Sequence, residues 1–340
     1  TVNLAQVHFE MGEYEKALAI CREAVEVSRQ FGYRNHLVLA MANQALYETM
    51  LCEWDDAGRS VEKALTLARH YEMAYPMAIN LHTKSLILFG EGCFTEAVKM
   101  QLSALDIYMA NNQTSEALGC LSEIAFISNF LRMPELINTT LEKFIPGLQS
   151  ELQNVTRTWT IGFTAHQAFH KYITGEADLY DSVESMENIL ERARESGILW
   201  LVADVGKVLI NLHQSDGNHA KAAETGMDLF PLLSTHFCPL ILPRFMISLA
   251  ESLLETDGRE DLSSVLDSLK TYDKYLEKGP FGLEYCLLRK KLAEKDGEDP
   301  APFTERGRRL ARLMIESEMD EEVREALMKL PAFAKFGAGT

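Results

Sequence analysis

The sequence predicts an all-α fold, a right-handed superhelical solenoid of about eight antiparallel helix pairs. Three observations lead to this prediction. A pattern of turn, aromatic and small residues returns with a 40-residue period in the N-terminal half. The small residues recur at spacings that place them on one face of a helix. The chain also has 340 residues, which is longer than one compact core usually reaches, so we expect the core to extend lengthwise.

The repeat is clearest when the chain is aligned on the turn between the two helices of each pair. This turn position recurs at equal steps, without insertion, at Gly12, Cys52, Gly92 and Arg132. Two residues later stands an aromatic ring in three units and a proline in the fourth: Tyr14, Trp54, Phe94 and Pro134. Small residues that would let two helices approach closely then follow at fixed points: Ala17, Ala57, Ala97, Ala24, Ala64 and Ala104. One such hairpin cannot bury its apolar face alone, whereas stacked hairpins can.

The individual elements follow from this register. Unit one predicts helices over 2–11 and 14–29, and unit two predicts helices over 37–51 and 54–70. Four regular repeats are predicted over 1–148. Residues 149–318 are predicted to continue the solenoid as four less regular pairs, with D-G pairs as turn signals at 216–217, 257–258 and 296–297. A C-terminal capping helix and tail are predicted over 319–340, because an open solenoid end needs a cover with a polar outer face.

The motif Gly-x-aromatic-x-x-Ala, with a second Ala seven residues later, resembles the tetratricopeptide repeat (TPR). The eighth position of the first helix is also small, as in that family: Ala5, Ala45 and Ala125. The 40-residue unit is longer than the family's usual unit of about 34. Units of this length are similar to the C-terminal TPR arms of bacterial STAND-type signalling ATPases and regulators. Because the chain opens in what reads as mid-helix, we expect a piece of such a larger protein.

Composition narrows the possible partners. The net charge is −17 with Lys and Arg interspersed, so nucleic acid and anionic membrane surfaces are not expected partners. No apolar run is long enough to span a bilayer. Six cysteines without a CxxC pair predict small apolar fillers in a cytoplasmic protein rather than a disulfide framework or a zinc site.

The sequence carries no recognisable catalytic motif. It has no phosphate-binding loop, no H-E-x-x-H and no G-x-S-x-G. His166 and His170 are four residues apart and would share a helix face, but two histidines make at most half a metal site. We therefore predict a structural or surface pair there, and neither catalysis nor a metal or cofactor in this segment.

The TPR resemblance implies that first helices line a concave binding groove. The side chains it places there are mostly apolar, with a few amides and one histidine: Gln6, Phe9, Asn43, Leu46, Thr49, His82, Leu86, Phe89, Ser122 and Phe126. TPR domains that clamp a terminal carboxylate use inward Lys and Arg, and only Asn43 fits that arrangement. For the three phenylalanines, packing within the solenoid is the alternative to a role in binding.

Two functions follow as predictions. The first is a non-catalytic protein–protein interaction or regulatory scaffold, whose partner is another protein, a peptide or other domains of the parent chain. The second is a peptide or small-ligand sensor, with a pocket that opens at the irregular stretch 149–197, since irregular insertions often carry function. The sequence leaves the oligomeric state open.

Overall fold

The computed structural model of the chain describes residues 2–154, 157–256 and 258–337. Its regular structure is helical, and no strand occurs within these ranges. The α-helices are α1 (Val2–Glu10), α2 (Tyr14–Phe31), α3 (Arg34–Met50), α4 (Trp54–His70), α5 (Ala74–Glu91), α6 (Phe94–Ala110), α7 (Thr114–Leu131), α8 (Glu135–Phe144), α9 (Gln149–Leu152), α10 (Thr158–Thr174), α11 (Leu179–Ser196), α12 (Leu199–Ser215), α13 (His219–Leu233), α14 (Leu242–Leu254), α15 (Arg259–Lys270), α16 (Gly279–Asp296), α17 (Ala301–Ser317), α18 (Glu321–Lys329) and α19 (Pro331–Phe336). None of them, within the described ranges, combines the length and apolarity that crossing a bilayer requires.

Neighbouring helices pack side by side as hairpins, and the hairpins stack in chain order. We number them hairpin 1 to hairpin 8: α1–α2, α3–α4, α5–α6, α7–α8, α10–α11, α12–α13, α14–α15 and α16–α17. Each also contacts the next, for example through α2 on α3 and α4 on α5. The predicted all-α solenoid of helix pairs is therefore confirmed.

Each of the helices α1 to α7 is followed by a left-handed residue, and these residues recur at half the repeat period. The four predicted turn positions have φ between 54° and 86°, and the links between hairpins repeat the geometry at Gly32, Glu72 and Asn112. At the first turn the Gly12 N–H donates to Phe9 O at 3.0 Å and the Glu13 N–H donates to His8 O at 2.9 Å. This pair of bonds satisfies the last carbonyls of a helix and is known as the Schellman motif. Because one turn type ends both helices of a pair, the 40-residue unit is two segments of equal length.

The helix boundaries differ from the predicted ones by one to three residues: α1 ends at Glu10 instead of 11 and α3 at Met50 instead of 51, whereas the link between α2 and α3 is shorter than predicted. α2 continues to Phe31 and α3 begins at Arg34, where the sequence predicted a linker until residue 37. The difference arises because Gly32 alone reverses the chain: its left-handed φ of 72° needs no longer connection. α4 begins and ends where predicted, at Trp54 and His70.

The repeated small residues lie where hairpins touch. All six of the predicted alanines are buried, as are Ala5, Ala45 and Ala125. The aromatic residue after the turn fills the space between adjacent helices. Trp54 packs over Gly90 of the next hairpin, where an added Cβ would lie 2.7 Å from the Trp54 ring. Phe94 lies 5.4 Å from Phe89 across its own turn, which repeats the 5.4 Å contact of Tyr14 with Phe9.

The register breaks after hairpin 4. A 3-10 turn at Ile145–Gly147 and the short α9 precede α10, which packs directly against α7. Gly175 then resumes the turn geometry slightly later than the regular step from Arg132 would place it. The stretch predicted as irregular, 149–197, thus contains a complete hairpin. Of the D-G turn signals, Gly217 and Gly297 have the expected positive φ. Gly258 does not: its φ is −77°, and it is the N-cap residue of α15. Asp257 lies outside the described residues.

The superhelix closes on itself. α16 of hairpin 8 contacts α5 of hairpin 3, and a Cβ on Gly279 would lie only 2.0 Å from the carbonyl oxygen of Gly90. The C-terminal helices α18 and α19 lie over this junction and bury Phe333 and Phe336 in a core shared with Phe89. The predicted C-terminal cap is thus two short helices that join distant hairpins, and Ala338–Thr340 lie outside the described residues.

Candidate functional site

The ten residues predicted to line a groove lie in the interior of the solenoid, and none is exposed. Several are engaged by the chain itself. Phe9 stacks on Tyr47 at 4.9 Å, and the Tyr47 hydroxyl donates to Gln6 Oε1 at 3.3 Å. The Thr49 hydroxyl donates to the Ala45 carbonyl at 2.8 Å.

The third- and fourth-unit members of this set are similarly engaged. His82 Nδ1 lies 3.1 Å from Gln101 Oε1. Phe89 lies 5.1 Å from Phe126 and 5.6 Å from Phe281 of hairpin 8. Phe89 and Phe126 meet through the stacking of the neighbouring hairpins 3 and 4, whereas superhelix closure adds Phe281, which no local pattern in the sequence indicates. A binding role for the ten residues stays a prediction.

A cavity of about 510 Å³ lies inside the superhelix between hairpins 4 to 8. One wall is a polar face of α12, on which the lining side chains are spaced three or four residues apart: Asp204, Lys207, Asn211 and Gln214. Residues at this spacing share one helix face. Gln214 is fixed by donating to Ser248 O and Ser252 Oγ, both at 2.8 Å. Asn211, whose side-chain amide has no hydrogen bond within the described residues, is available to a ligand.

The remaining walls carry charged side chains from the C-terminal end of α14 and from α16, such as Glu251, Glu255 and Glu284, beside a larger area of apolar side chains. The first helices of hairpins 4, 5 and 8 and the start of α19 supply the apolar side chains: Phe126, Phe130, Phe169, Leu283, Leu287 and Phe333. Phe126 is the one member of the ten predicted residues that lines this cavity. A polar track opposite apolar surface suits a ligand with a hydrogen-bonding backbone and apolar side groups.

A charged cluster surrounds Asp204, near the N-terminal end of α12. Asp204 Oδ2 lies 3.0 Å from His166 Nε2, and Asp204 Oδ1 lies 3.9 Å from Arg244 Nη2. Burial alone would raise the pKa of Asp204, but His166, Arg244 and Lys207 together lower it to about 2. At Glu123 burial outweighs the neighbouring charges instead. It raises the pKa of the Glu123 carboxyl group to about 7, although Arg244 acts to lower it.

Arg244 joins hairpins that are distant in sequence. Its guanidinium carbon lies 4.1 Å from the ring centre of Phe126 and 4.5 Å from that of Phe281. A desolvated cation between two aromatic faces is a favourable contact. Arg244 Nε and Nη2 are buried and have no hydrogen-bond partner among the described residues. The sandwich thus links hairpins 4, 7 and 8 beside the cavity.

Two further charged residues face the cavity from opposite helices. Lys207 on α12 is only 8% exposed, and Glu284 lies on α16. Burial lowers the pKa of Lys207 and raises that of Glu284, and each is the charged group that most strongly opposes the other's shift. Neither forms a hydrogen bond or an ion pair within 4.0 Å in the described part of the chain. By contrast, Lys291 Nζ pairs with Glu251 Oε1 at 3.3 Å on the same cavity rim.

The two histidines that share a helix face have separate partners. His166 contacts Asp204, whereas His170 Nε2 lies 3.0 Å from Asn138 Oδ1. Across the described ranges, no group of three or more His, Cys, Asp or Glu side chains is placed to hold a metal ion. The six cysteines are free, and all but Cys93 are fully buried, as expected of apolar fillers.

Sequence reasoning missed the cavity because most of its residues come from the second half, where the repeat motif fades. One signal was present. α12 reads LWLVADVGKVLINLHQS, an apolar helix that contains Asp204 and Lys207. Charged side chains within an apolar helix seldom lie in a core without a partner or a role. The charged neighbours of Asp204 and Lys207 could not be found from the sequence, because Arg244 and Glu284 lie on later hairpins, far along the chain.

The N-terminal hairpins match a known repeat at the level of sequence. A sequence profile described as tetratricopeptide repeat matches residues 1–70. Among curated proteins, no sequence matches the chain.

Solved structures of similar shape cover almost the whole chain. One is a Rap protein complexed with competence and sporulation factor, with a TM-score of 0.60 and 11% identity over 98% of this chain and 94% of that one. Another is NprR in complex with its cognate peptide NprX, with a TM-score of 0.55 and 15% identity over 94% and 96%. The apo quorum sensor NprR from B. thuringiensis has a TM-score of 0.50 and 14% identity over 97% and 96%. The chain therefore has the fold of a TPR-type helical solenoid, and residues 1–70 carry that repeat's sequence signature.

Proposed function

We propose that the chain is a non-catalytic regulatory module that binds a short peptide in the cavity between hairpins 4 and 8. The observation that carries the proposal is the cavity itself, in which the polar face of α12 lies opposite apolar walls. The solved structures of a Rap protein with its factor and of NprR with NprX share the fold over nearly the full chain. They support a peptide ligand by analogy of fold.

The dimensions of the cavity fit such a ligand. Its volume of about 510 Å³ falls within the usual range for ligand sites, about 300–1,000 Å³. The polar track from Asp204 to Gln214 covers about 15 Å at about 1.5 Å per helical residue. An extended peptide advances about 3.3–3.6 Å per residue, so four or five ligand residues match the track. Asn211, at its middle, would hydrogen-bond the peptide backbone through its side-chain amide.

The test is affinity selection of random synthetic pentapeptide pools on the immobilised chain, read by mass spectrometry. Retained peptides should also stabilise the fold by about 2.7 kcal/mol at 100 times their Kd. Asn211→Leu should lose most retention. Asn188→Leu, which changes an exposed asparagine on α11, is the matched control and should retain peptides normally. If the unsubstituted chain selects no peptide, or if the Asn211 variant selects the same peptides equally, the proposal fails.

A second function, protein-interaction scaffolding, is favoured by the exposed face of hairpin 1. The described residues include eleven exposed large apolar side chains. Six of them lie on hairpin 1 or on the link from it to hairpin 2: Leu4, Val7, Met11, Val27, Phe31 and Tyr33. Tyr47, the counterpart of Val7 one repeat later, is buried. The face therefore resembles a hairpin-stacking surface. A photo-crosslinker at position 7 of the full-length protein should react with a partner or another domain, whereas one at Tyr180 should not. Equal reaction at both sites would contradict the proposal.

The parent protein and its location are part of the same proposal. We infer a cytoplasmic regulator in which this chain is the arm that responds to a ligand, as the resemblance to STAND-type proteins implies. Its partners would be peptide and protein, because the net charge of −17 disfavours nucleic acid and anionic membranes. The full-length sequence tests this directly: a nucleotide-binding module should accompany the arm.

A further inference from the structure

Lys207 and Glu284 face the same cavity without a direct contact to each other or to other polar groups of the described chain. Lys207 is on the polar wall, Glu284 is on α16, and both line the cavity. The other charged groups near Lys207 are Arg244, Asp204 and Glu251. Asp204 is already bonded to His166 and Glu251 to Lys291. Lys207 and Glu284 are thus two opposite charges on this cavity whose hydrogen-bonding capacity the fold leaves unused. Arg244 Nε and Nη2 also lack a hydrogen-bond partner, but the Arg244 guanidinium is held between the rings of Phe126 and Phe281.

The surroundings of Lys207 make this unusual. Its Nζ lies 6.0 Å from the ring centre of Phe126, and the guanidinium carbon of Arg244 lies 4.1 Å from the same ring centre. A buried ammonium group normally has hydrogen-bond partners, because an unsatisfied buried charge costs several kcal/mol or more. Any ligand that fills the cavity also removes the remaining water from both charges. A neutral ligand would therefore be penalised, and one with matching charges would compensate the loss.

We propose that Lys207 and Glu284 select a dipolar peptide, Lys207 binding a carboxylate of the ligand and Glu284 binding a cationic nitrogen of the same ligand. This inference rests on the proposed function, since it assumes that a peptide occupies the cavity. The ammonium group of Lys207 can donate one or two hydrogen bonds to a ligand carboxylate, and a ligand ammonium or guanidinium donates to the Glu284 carboxylate. The pair would also fix the direction of the peptide along α12, because reversal would place like charges together.

The experiment uses the same selection with pentapeptide pools that are acetylated and amidated, so that side chains carry all the charge. The four pools contain Asp and Lys, Asp and norleucine, Asn and Lys, or Asn and norleucine. A fifth pool has neutral side chains and free termini, which distinguishes a terminal from a side-chain carboxylate. We expect the unsubstituted chain to retain the Asp–Lys pool, the free-terminus pool or both at least about 10-fold over the neutral pool, a factor that equals about 1.4 kcal/mol.

Two variants assign the charges. Lys207→Met should remove the preference for the acidic group and keep that for the basic group, and Glu284→Gln should do the reverse. Lys270→Met and Glu224→Gln change exposed residues and serve as matched controls. Thermal unfolding without peptide should show Lys207→Met at least as stable as the unsubstituted chain, because Lys207 forms no direct bond to lose.

The outcomes separate the two proposals. Retention of peptides with no preference among the pools, or unchanged preferences in both variants, overturns the dipolar inference and leaves peptide binding intact. No retention of any pool refutes the proposed function instead. A fall in the unfolding temperature of Lys207→Met by more than about 2 °C, which for a chain of this length corresponds to more than about 1 kcal/mol, would show a structural role and also overturn the inference.

Discussion

Closure of the superhelix depends on one contact between two backbones, and Gly279→Ala should break it. The new Cβ would lie 2.0 Å from Gly90 O, well inside van der Waals contact. Because the obstacle is backbone, no side-chain rotation relieves the overlap, and α16 must move away from α5. Overpacking of this kind costs about 1–3 kcal/mol. The left-handed φ of 66° adds about 1–2 kcal/mol for a residue with a Cβ, so we expect a total loss of about 2–5 kcal/mol.

The chain offers a matched control for the strain alone. Gly297 has a similar φ of 73°, but nothing lies within 4 Å of the position that an added Cβ would occupy. Gly297→Ala should therefore cost only the conformational term, about 1–2 kcal/mol. Urea unfolding of both variants gives the difference, and small-angle X-ray scattering should show a larger radius of gyration for Gly279→Ala alone. Equal stability and equal dimensions of the two variants would refute the closure argument.

Three further predictions concern single sites. Glu318→Ala should lower the free energy of unfolding in urea by about 3 kcal/mol. The buried carboxylate accepts hydrogen bonds from Thr95 N and Asp320 N, both at 3.0 Å, and such charge-assisted bonds contribute about 1.5–3 kcal/mol each. An unchanged midpoint would contradict this. Glu123→Gln should flatten the pH dependence of stability. The pKa of Glu123 in the folded state is raised from 4.5 to about 7, so between these pH values the folded chain binds a proton that the unfolded chain does not. The free energy of unfolding of the unsubstituted chain should therefore fall by up to about 3 kcal/mol as the pH rises from 4.5 through 7. An equal slope in the variant would refute that assignment. Gly58→Ala should raise the stability of α4 by up to about 1 kcal/mol because its Cβ meets nothing within 4 Å, whereas Ala57→Leu at the buried neighbour should lower stability by about 1–3 kcal/mol; the same sign for both would contradict the packing argument.

The regular half could be predicted closely because its information is local. A glycine or another residue at a left-handed turn, an aromatic two residues later and alanines at helical spacing act within one hairpin and its neighbour. The boundaries of α4 were predicted to the residue. Those of α2 and α3 were short by two or three residues, because the sequence does not show that a single residue reverses the chain. The second half was predicted only coarsely, since its turns persist while its small-residue pattern fades.

The sequence by itself determined the hairpin, its 40-residue repeat and the stacking of neighbours, because contacts within one hairpin and with the next suffice for these. Only the tertiary structure decided where the solenoid closes and what its interior contains. Gly279 meets Gly90, and Arg244 lies between Phe126 and Phe281, through the summed rotation of several hairpins. A small change in the angle between successive hairpins accumulates along a solenoid, so no local pattern fixes which distant residues meet. The cavity charges Lys207 and Glu284 therefore come to face one cavity only in the tertiary structure.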